Sequence, residues 1–153
     1  MRFLLPAFII LLFSSCLSEP DCLVTASNLV RIDLKKTDTN AVNTVKFIVI
    51  RVQGTDTLFY QDQKASSLIL PVNPAGEQTT FHFEYKSSID TTVLENDSVT
   101  LAYVRQYKVI SPDCGGYVYY MNLSVSSYSF SNEPKVVNAQ LSTSATPNLE
   151  IKL

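Results

Sequence analysis

The sequence is poor in the residue types on which many enzyme and metal sites depend, with one histidine and no tryptophan among 153 residues. No motif gives the single histidine, His82, the nucleophile and orienting acid that general-base catalysis requires. A GxSxG element, an HExxH element and a glycine-rich phosphate loop are also missing. One imidazole and the few thiols do not complete a structural zinc site. The sequence therefore predicts no catalytic residues, no metal and no cofactor, and we expect that the protein is not an enzyme.

The charge balance excludes a second class of function. The chain has 12 basic and 14 acidic residues, and no basic stripe that could follow a phosphate backbone. Nucleic acid is therefore not an expected partner. The length suits one domain with a single core.

The N-terminus carries the longest apolar run. After Arg2, the sequence FLLPAFIILLF (residues 3–13) contains no charged residue. A positive residue followed by an apolar stretch of this length is typical of an export signal. The run is too short to cross a bilayer, which takes about 20 residues.

The end of this run resembles a bacterial lipobox. Ser14 and Ser15 are small residues directly before Cys16, although Phe13 stands where a leucine is usual. An Ala-x-Ala cleavage pattern is missing. We expect lipidation at Cys16, with a signal peptide over 1–15, a lipidated tether over 16–26 and one domain over 27–153. In the alternative interpretation, Cys16 is a disulfide cysteine.

Lipidation of Cys16 leaves Cys22 and Cys114 as an even pair in an exported chain. Such pairs normally close in an oxidising compartment, and no CxxC redox motif is present. We predict a structural Cys22–Cys114 disulfide that joins the start of the domain to a distant hairpin.

The rest of the chain favours strands. TTFHFEYK (residues 79–86) alternates apolar and polar side chains, as a half-buried strand does. NTVKFIVIRVQ (residues 43–53) is almost continuously apolar, which predicts a central strand covered on both faces. Eight or nine short strands separated by turn residues predict an all-β fold, an antiparallel β-sandwich.

The loop SPDCGG (residues 111–116) predicts a hairpin between two strands that are rich in tyrosine. Strict alternation along the second strand places Tyr117, Tyr119 and Met121 on the core face. Tyr120 then lies on the opposite face, and we expect it to be the exposed aromatic side chain available for a contact. One exposed tyrosine does not form a platform for a sugar.

Three tripeptides, DTL, DTT and DSV, look like short Asp-Ser/Thr-apolar acceptors of O-glycosylation. They predict modification at Thr57, Thr91 and Ser98, each near a strand end. Asp90, Glu95 and Asp97 do not have the spacing of an EF-hand loop, and we interpret them as solvated turn residues.

The lipobox, the SPDCGG loop, the aromatic strand YVYYMNL (residues 117–123) and the final LEIKL (residues 149–153) occur in an order that resembles a family of small Bacteroidota lipoproteins of unknown function. The resemblance implies location and architecture but no activity. We expect a lipid-anchored outer-membrane protein, facing the periplasm or exposed at the cell surface.

Two functions remain open for such a protein. The first is a non-catalytic, structural or protein-interaction module that binds an envelope protein, and a long unpaired edge strand would favour it. The second is a glycan- or ligand-binding lipoprotein, which a clustered patch of exposed Tyr, Asn and Asp would favour.

Overall fold

The computed structural model describes residues 22, 24–87 and 92–153 of the chain. These residues form ten strands and no helix, so no helix among them is long and apolar enough to cross a membrane. The strands are β1 (Leu29–Lys35), β2 (Val45–Val52), β3 (Leu58–Phe59), β4 (Gln63–Ala65), β5 (Ser67–Pro71), β6 (Gln78–Lys86), β7 (Leu94–Ser111), β8 (Gly115–Tyr128), β9 (Lys135–Val136) and β10 (Leu149–Lys152).

The strands form two sheets that pack together, which confirms the predicted sandwich. One sheet has the order β5-β1-β10-β9, and the other has the order β3-β2-β6-β7-β8 with β4 also paired to β2. Every pair of these strands is antiparallel except β1 with β10. Parallel neighbours need a long connection, and nearly the whole domain separates β1 from β10.

The predicted alternation holds in β1 and β6. Val30, Ile32 and Leu34 of β1 are at most 1% exposed, and Phe81 and Phe83 of β6 are also buried. These side chains meet between the sheets, where burial of each large apolar group stabilises the fold by roughly 1.5–3 kcal/mol.

The continuous apolar run of β2 has a different origin from the one predicted. The strand is central, but its outer face is open, because Lys46 and Ile48 are half-buried and Arg51 is exposed. Phe47 pairs with Tyr85, whereas Val49 already pairs with the next partner residue, so Ile48 is an extra residue in the ladder. After this bulge the even-numbered side chains of β2 face the core, whereas before it the odd-numbered side chains do. The buried residues on its two sides therefore follow one another in the sequence as one apolar run.

The β7–β8 hairpin extends beyond the sandwich. β6 and β7 pair from Lys86 opposite Leu94 to Gln78 opposite Ala102. Residues 104–111 of β7 continue past this point and pair with β8 alone among the described strands. We call residues 104–111 and 115–119 the ribbon. It projects from the end of the sandwich at which β6 begins.

Candidate functional site

The tip of the ribbon is tied to the N-terminal part of the domain. Cys22 and Cys114 form a disulfide with their Cα atoms 5.6 Å apart, which confirms the predicted pair. This separation lies within the range that a disulfide accepts. Cys114 occupies the three-residue turn between β7 and β8, and its amide donates a hydrogen bond to the Ser111 hydroxyl at 3.0 Å.

The segment that leads from Cys22 into β1 is held by backbone pairing. Ala26 forms an isolated antiparallel bridge with Ser142, and the Thr143 amide donates to the Thr25 carbonyl at 3.1 Å. Residues 25 and 26, which lie between the disulfide and β1, are therefore fixed to residues 142 and 143. Together these contacts hold the ribbon at a set position relative to the sandwich.

The edge of the ribbon that β7 forms is unpaired among the described strands. The Tyr103 amide donates to the Glu77 carbonyl on the β6 side, whereas the Ser98 carbonyl accepts from Ser129 on the β8 side. The backbone N–H and C=O groups of successive residues point to opposite sides of a strand. The N–H and C=O groups of the odd-numbered residues of β7 therefore point away from β8. Beyond Tyr103 these residues are Arg105, Tyr107 and Val109, which pair with β8 on one side and with no described strand on the other.

Apolar side chains are exposed along the same edge. All seven residues from 104 to 110 are exposed, and Tyr107 and Val109 keep 65% and 68% of their surface in solvent. Arg105 and Lys108 add two positive charges, and no acidic residue occurs between 104 and 110. Monomeric proteins usually protect a long edge strand of this kind.

The base of the ribbon is anchored by Tyr103. Its hydroxyl donates to the Asn73 carbonyl at 2.9 Å and lies 2.8 Å from the Thr79 hydroxyl, which itself accepts from the Asn73 amide. The Arg105 guanidinium donates to the Ala75 carbonyl at 3.0 Å. The loop before β6 is thereby fixed to β7 where the free edge begins.

Tyr120 is buried, so the prediction that it is the exposed aromatic contact was wrong. It is 5% exposed and packs edge-on against Tyr103, with ring centroids 5.7 Å apart. Met121 pairs with Val104, and Ser124 pairs with Ala102, so two residues of β8 lie opposite Tyr103 alone. One of them, Asn122, has a positive φ of 56°. The bulge reverses the alternation that had placed Tyr117, Tyr119 and Met121 in the core.

The proposed modification sites lie in different surroundings. Thr57 is exposed in the loop before β3. Ser98 is half-buried inside β7, opposite His82, and not near a strand end as predicted. Thr91 lies outside the described residues, and so does Cys16, the predicted lipidation site. Modification at these positions stays a prediction.

The acidic residues expected in a turn are partly in a strand. Glu95 and Asp97 belong to β7, and Asp90 lies outside the described residues. The Asp97 carboxylate accepts hydrogen bonds from the Tyr85 hydroxyl and the Ser129 hydroxyl, both at 2.7 Å. Asp97 is therefore a structural acceptor that joins β6, β7 and the end of β8.

His82 is an exposed residue of β6 that pairs with Arg51 on one side and Ser98 on the other. Within the described part of the chain, no three His, Cys, Asp or Glu side chains are grouped so that they could hold a metal ion.

A second feature at the ribbon end of the sandwich is a cleft of about 510 Å³ between the two sheets. No charged residue lines it. Its polar lining consists of amide and hydroxyl side chains, and Phe59 and two prolines supply apolar surface. The polar residues are Asn28, Gln53, Thr55, Thr57, Asn73, Gln78, Thr79 and Thr80.

Comparison with known proteins gives a family but no activity. Neither the curated proteins nor the solved structures include a match to this chain. A family model described as a family of unknown function, DUF6452, matches residues 31–152, which include the sandwich strands from within β1 to the end of β10 and the whole ribbon. The chain therefore belongs to the DUF6452 family of unknown function.

Proposed function

We propose that this protein is a non-catalytic lipoprotein of the cell envelope that binds another protein by adding a strand to the free edge of β7. The observation that carries the proposal is the row of outward peptide groups at Arg105, Tyr107 and Val109. An extended segment of a partner can pair with such an edge, and the flanking side chains then supply specificity.

The side chains of the edge define the partner segment. Tyr107 and Val109 offer apolar surface, and Arg105 and Lys108 offer positive charge without a neighbouring carboxylate between 104 and 110. An extended segment with apolar and acidic residues complements this surface, and its charge would also speed association. The proposed partner is an envelope protein, because the N-terminal sequence predicts export of the chain.

The anchor places the ribbon close to the membrane. Lipidated Cys16 and Cys22 are six residues apart, and a fully extended chain of that length spans about 20 Å. With the predicted anchor at Cys16, the disulfide to Cys114 would keep the ribbon tip near the surface of the outer membrane, on its periplasmic face or at the cell surface. The partner segment is accordingly part of a protein at that membrane.

Insertion of the ribbon into lipid is an alternative to strand addition, but it would leave the backbone groups of the free edge without hydrogen-bond partners. Hydrocarbon cannot accept or donate hydrogen bonds, so outward peptide groups at Arg105, Tyr107 and Val109 would lose their water without gaining a partner. Two charged side chains in seven residues add to that cost.

A proline at Val109 tests the proposal. Its amide points away from β8, so proline at this position removes no hydrogen bond of the hairpin but removes a donor of the free edge. Val109→Pro should abolish partner capture from native membranes, whereas Val109→Thr, which keeps a β-branched side chain and the amide, should retain it. Equal capture by both folded variants would contradict strand addition.

The uncharged cleft supports a second candidate, the binding of a neutral glycan. Its amides and hydroxyls can pair with sugar hydroxyls, while Phe59 and the prolines offer apolar surface for a sugar face. The Asn73 side chain accepts a hydrogen bond from the Ala75 amide, so Asn73→Ala would disturb the loop as well as the cleft. Gln53→Ala is therefore the better test of sugar binding. Binding of a neutral oligosaccharide that Gln53→Ala weakens would favour this candidate over the first.

A further inference from the structure

The end of the sandwich opposite the ribbon has a concentration of positive charge. A cleft of about 940 Å³ lies there and is lined by Lys36, Lys46, Lys64 and Lys86, with Asp38 as the one acidic side chain of its lining. Four of the chain's 12 basic residues thus meet in one cleft of a protein whose net charge is −2.

Three of these lysines form a row across adjacent strands. Lys46 of β2 pairs directly with Lys64 of β4. On the other side of β2, Phe47 pairs with Tyr85, so Lys86 follows next to Lys46. Direct cross-strand partners share one face of a sheet, which places the amino groups of Lys46 and Lys64 on the outer face together. Lys36 follows β1 and reaches the cleft from the other sheet.

Like charges in directly opposite positions destabilise a sheet, so the row costs the fold stability. Asp62 offsets part of this cost through an ion pair with Lys46 at 2.7 Å. The hydrogen bond and charge of Lys46, and then the charge of Lys86, hold the pKa of Asp62 below its usual value. The charges of Lys46 and Lys86 therefore both act on the Asp62 carboxylate.

The other three lysines are not neutralised within the described part of the chain. No carboxylate there lies within 4.0 Å of the amino groups of Lys36, Lys64 or Lys86. Asp38 lies on the rim, where its carboxylate accepts a hydrogen bond from Thr39 at 3.2 Å. The cleft thus presents several ammonium groups to solvent from two sheets. The acidic groups of its lining are the Asp38 side chain and the carboxyl group of Leu153, which accepts a hydrogen bond from the Asn43 side-chain amide at 2.8 Å.

We propose that this cleft binds the phosphate group of a soluble ligand. Several ammonium point charges around one opening suit a compact dianion, whereas a monovalent carboxylate gains less from each added lysine. The cleft lies at the end of the sandwich away from the disulfide, so the site is separate from the ribbon and does not depend on strand addition.

The test is a titration of the full-length protein, followed by amide chemical shifts at constant ionic strength. The probes are inorganic phosphate, glucose 6-phosphate, glucose and acetate. Saturable shifts around the cleft with both phosphate probes, weaker ones with acetate and none with glucose, are the expected result. Tighter binding of glucose 6-phosphate than of inorganic phosphate would indicate that the natural ligand is a phosphate ester. Tighter binding of inorganic phosphate would indicate that the ligand is the free ion.

Matched variants separate the cleft from general charge. Lys64→Gln and Lys86→Gln should each weaken phosphate binding by about fivefold, the size expected for loss of an exposed charge pair. Lys135→Gln, on β9, removes the same charge elsewhere and should change nothing. Equal effects of all three variants, or phosphate shifts no larger than those of acetate, would overturn the proposal.

A charge reversal gives an independent readout. Lys64→Glu converts the like-charged pair with Lys46 into an attractive pair, so we expect a higher melting temperature together with loss of phosphate binding. Phosphate binding that persists in this variant at the wild-type affinity would contradict a binding role for the lysine row.

Discussion

The side chain of Tyr107 lies across Gly116, its diagonal neighbour on the paired strand. A Cβ atom at position 116 would overlap the phenol ring of Tyr107. The two residues are in adjacent pairs of the ribbon ladder, Tyr107 with Val118 and Val109 with Gly116. An aromatic ring over a glycine covers backbone that would otherwise be bare, and it fixes the ring beside the free edge.

This relationship predicts coupling between the two positions. Gly116→Ala should destabilise the ribbon by about 1 kcal/mol, because the added methyl group displaces the ring. In a Tyr107→Ala background the same change should be neutral or stabilising, since alanine restricts the unfolded chain more than glycine does. Denaturant unfolding of the four proteins measures the coupling. Additive effects would mean that the ring does not lie over Gly116.

The disulfide is expected to stabilise the domain substantially. Cys22 and Cys114 are 92 residues apart, so the bridge restricts a long loop of the unfolded chain. Cys22→Ser should lower the free energy of unfolding by about 2–5 kcal/mol. Equilibrium unfolding in urea measures the change, and thiol titration of the oxidised wild type should find neither cysteine free. Freely titrating thiols in the native protein would contradict the pairing.

Lipidation at Cys16 is a separate prediction from the sequence. Cells supplied with a labelled fatty acid should label the wild-type protein, and Cys16→Ala should lose both the label and membrane association. Permanent anchoring is expected, because each buried methylene of the acyl chains contributes about 0.8 kcal/mol. An unlabelled mature protein that begins at another residue would rule out this anchor.

Stability should fall in alkaline solution because of Tyr85. Burial, and then the hydrogen bond to the Asp97 carboxylate, raise the pKa of Tyr85 above its usual value. In the unfolded chain a tyrosine ionises near pH 10, roughly its reference value. The stabilisation is therefore complete below about pH 10 and is lost as the pH rises further, because the unfolded state releases its proton first.

The measurement is the free energy of unfolding between pH 8 and pH 11, roughly the range around the tyrosine reference value. Burial also raises the pKa of Tyr103, so the wild type should lose stability through both side chains. Tyr85→Phe should be less stable at neutral pH by about 1 kcal/mol, since Asp97 loses a donor, but should fall less steeply above pH 10. An unchanged slope would contradict this assignment.

Regular strands and the disulfide could be predicted from the sequence. Val30, Ile32 and Leu34 alternate without interruption and are buried as expected. The cysteine pair followed from the count and from the expected compartment, and Cys114 sits in the predicted turn. Each of these predictions rests on a local pattern that nothing elsewhere in the fold interrupts.

Bulges explain the errors. A single extra residue near Asn122 reverses the faces of β8 and buries Tyr120, and Ile48 does the same within β2. An alternating pattern does not show where a partner strand skips a residue, because that depends on pairing with a distant segment. The free edge of β7 could not be predicted for the same reason. The sequence around Tyr107 and Val109 is that of an ordinary strand, and the structure alone shows that β6 ends before it reaches these residues.

The most direct test of strand addition is photocrosslinking at the free edge in native membranes. A photoreactive amino acid in place of Tyr107 should give a discrete adduct with one envelope protein. The same residue in place of Val42, which is 62% exposed at the opposite end of the sandwich, should not. Adding Val109→Pro to the Tyr107 probe should remove the adduct. An adduct that survives this proline, or a probe at position 107 that labels only lipid, would contradict the account.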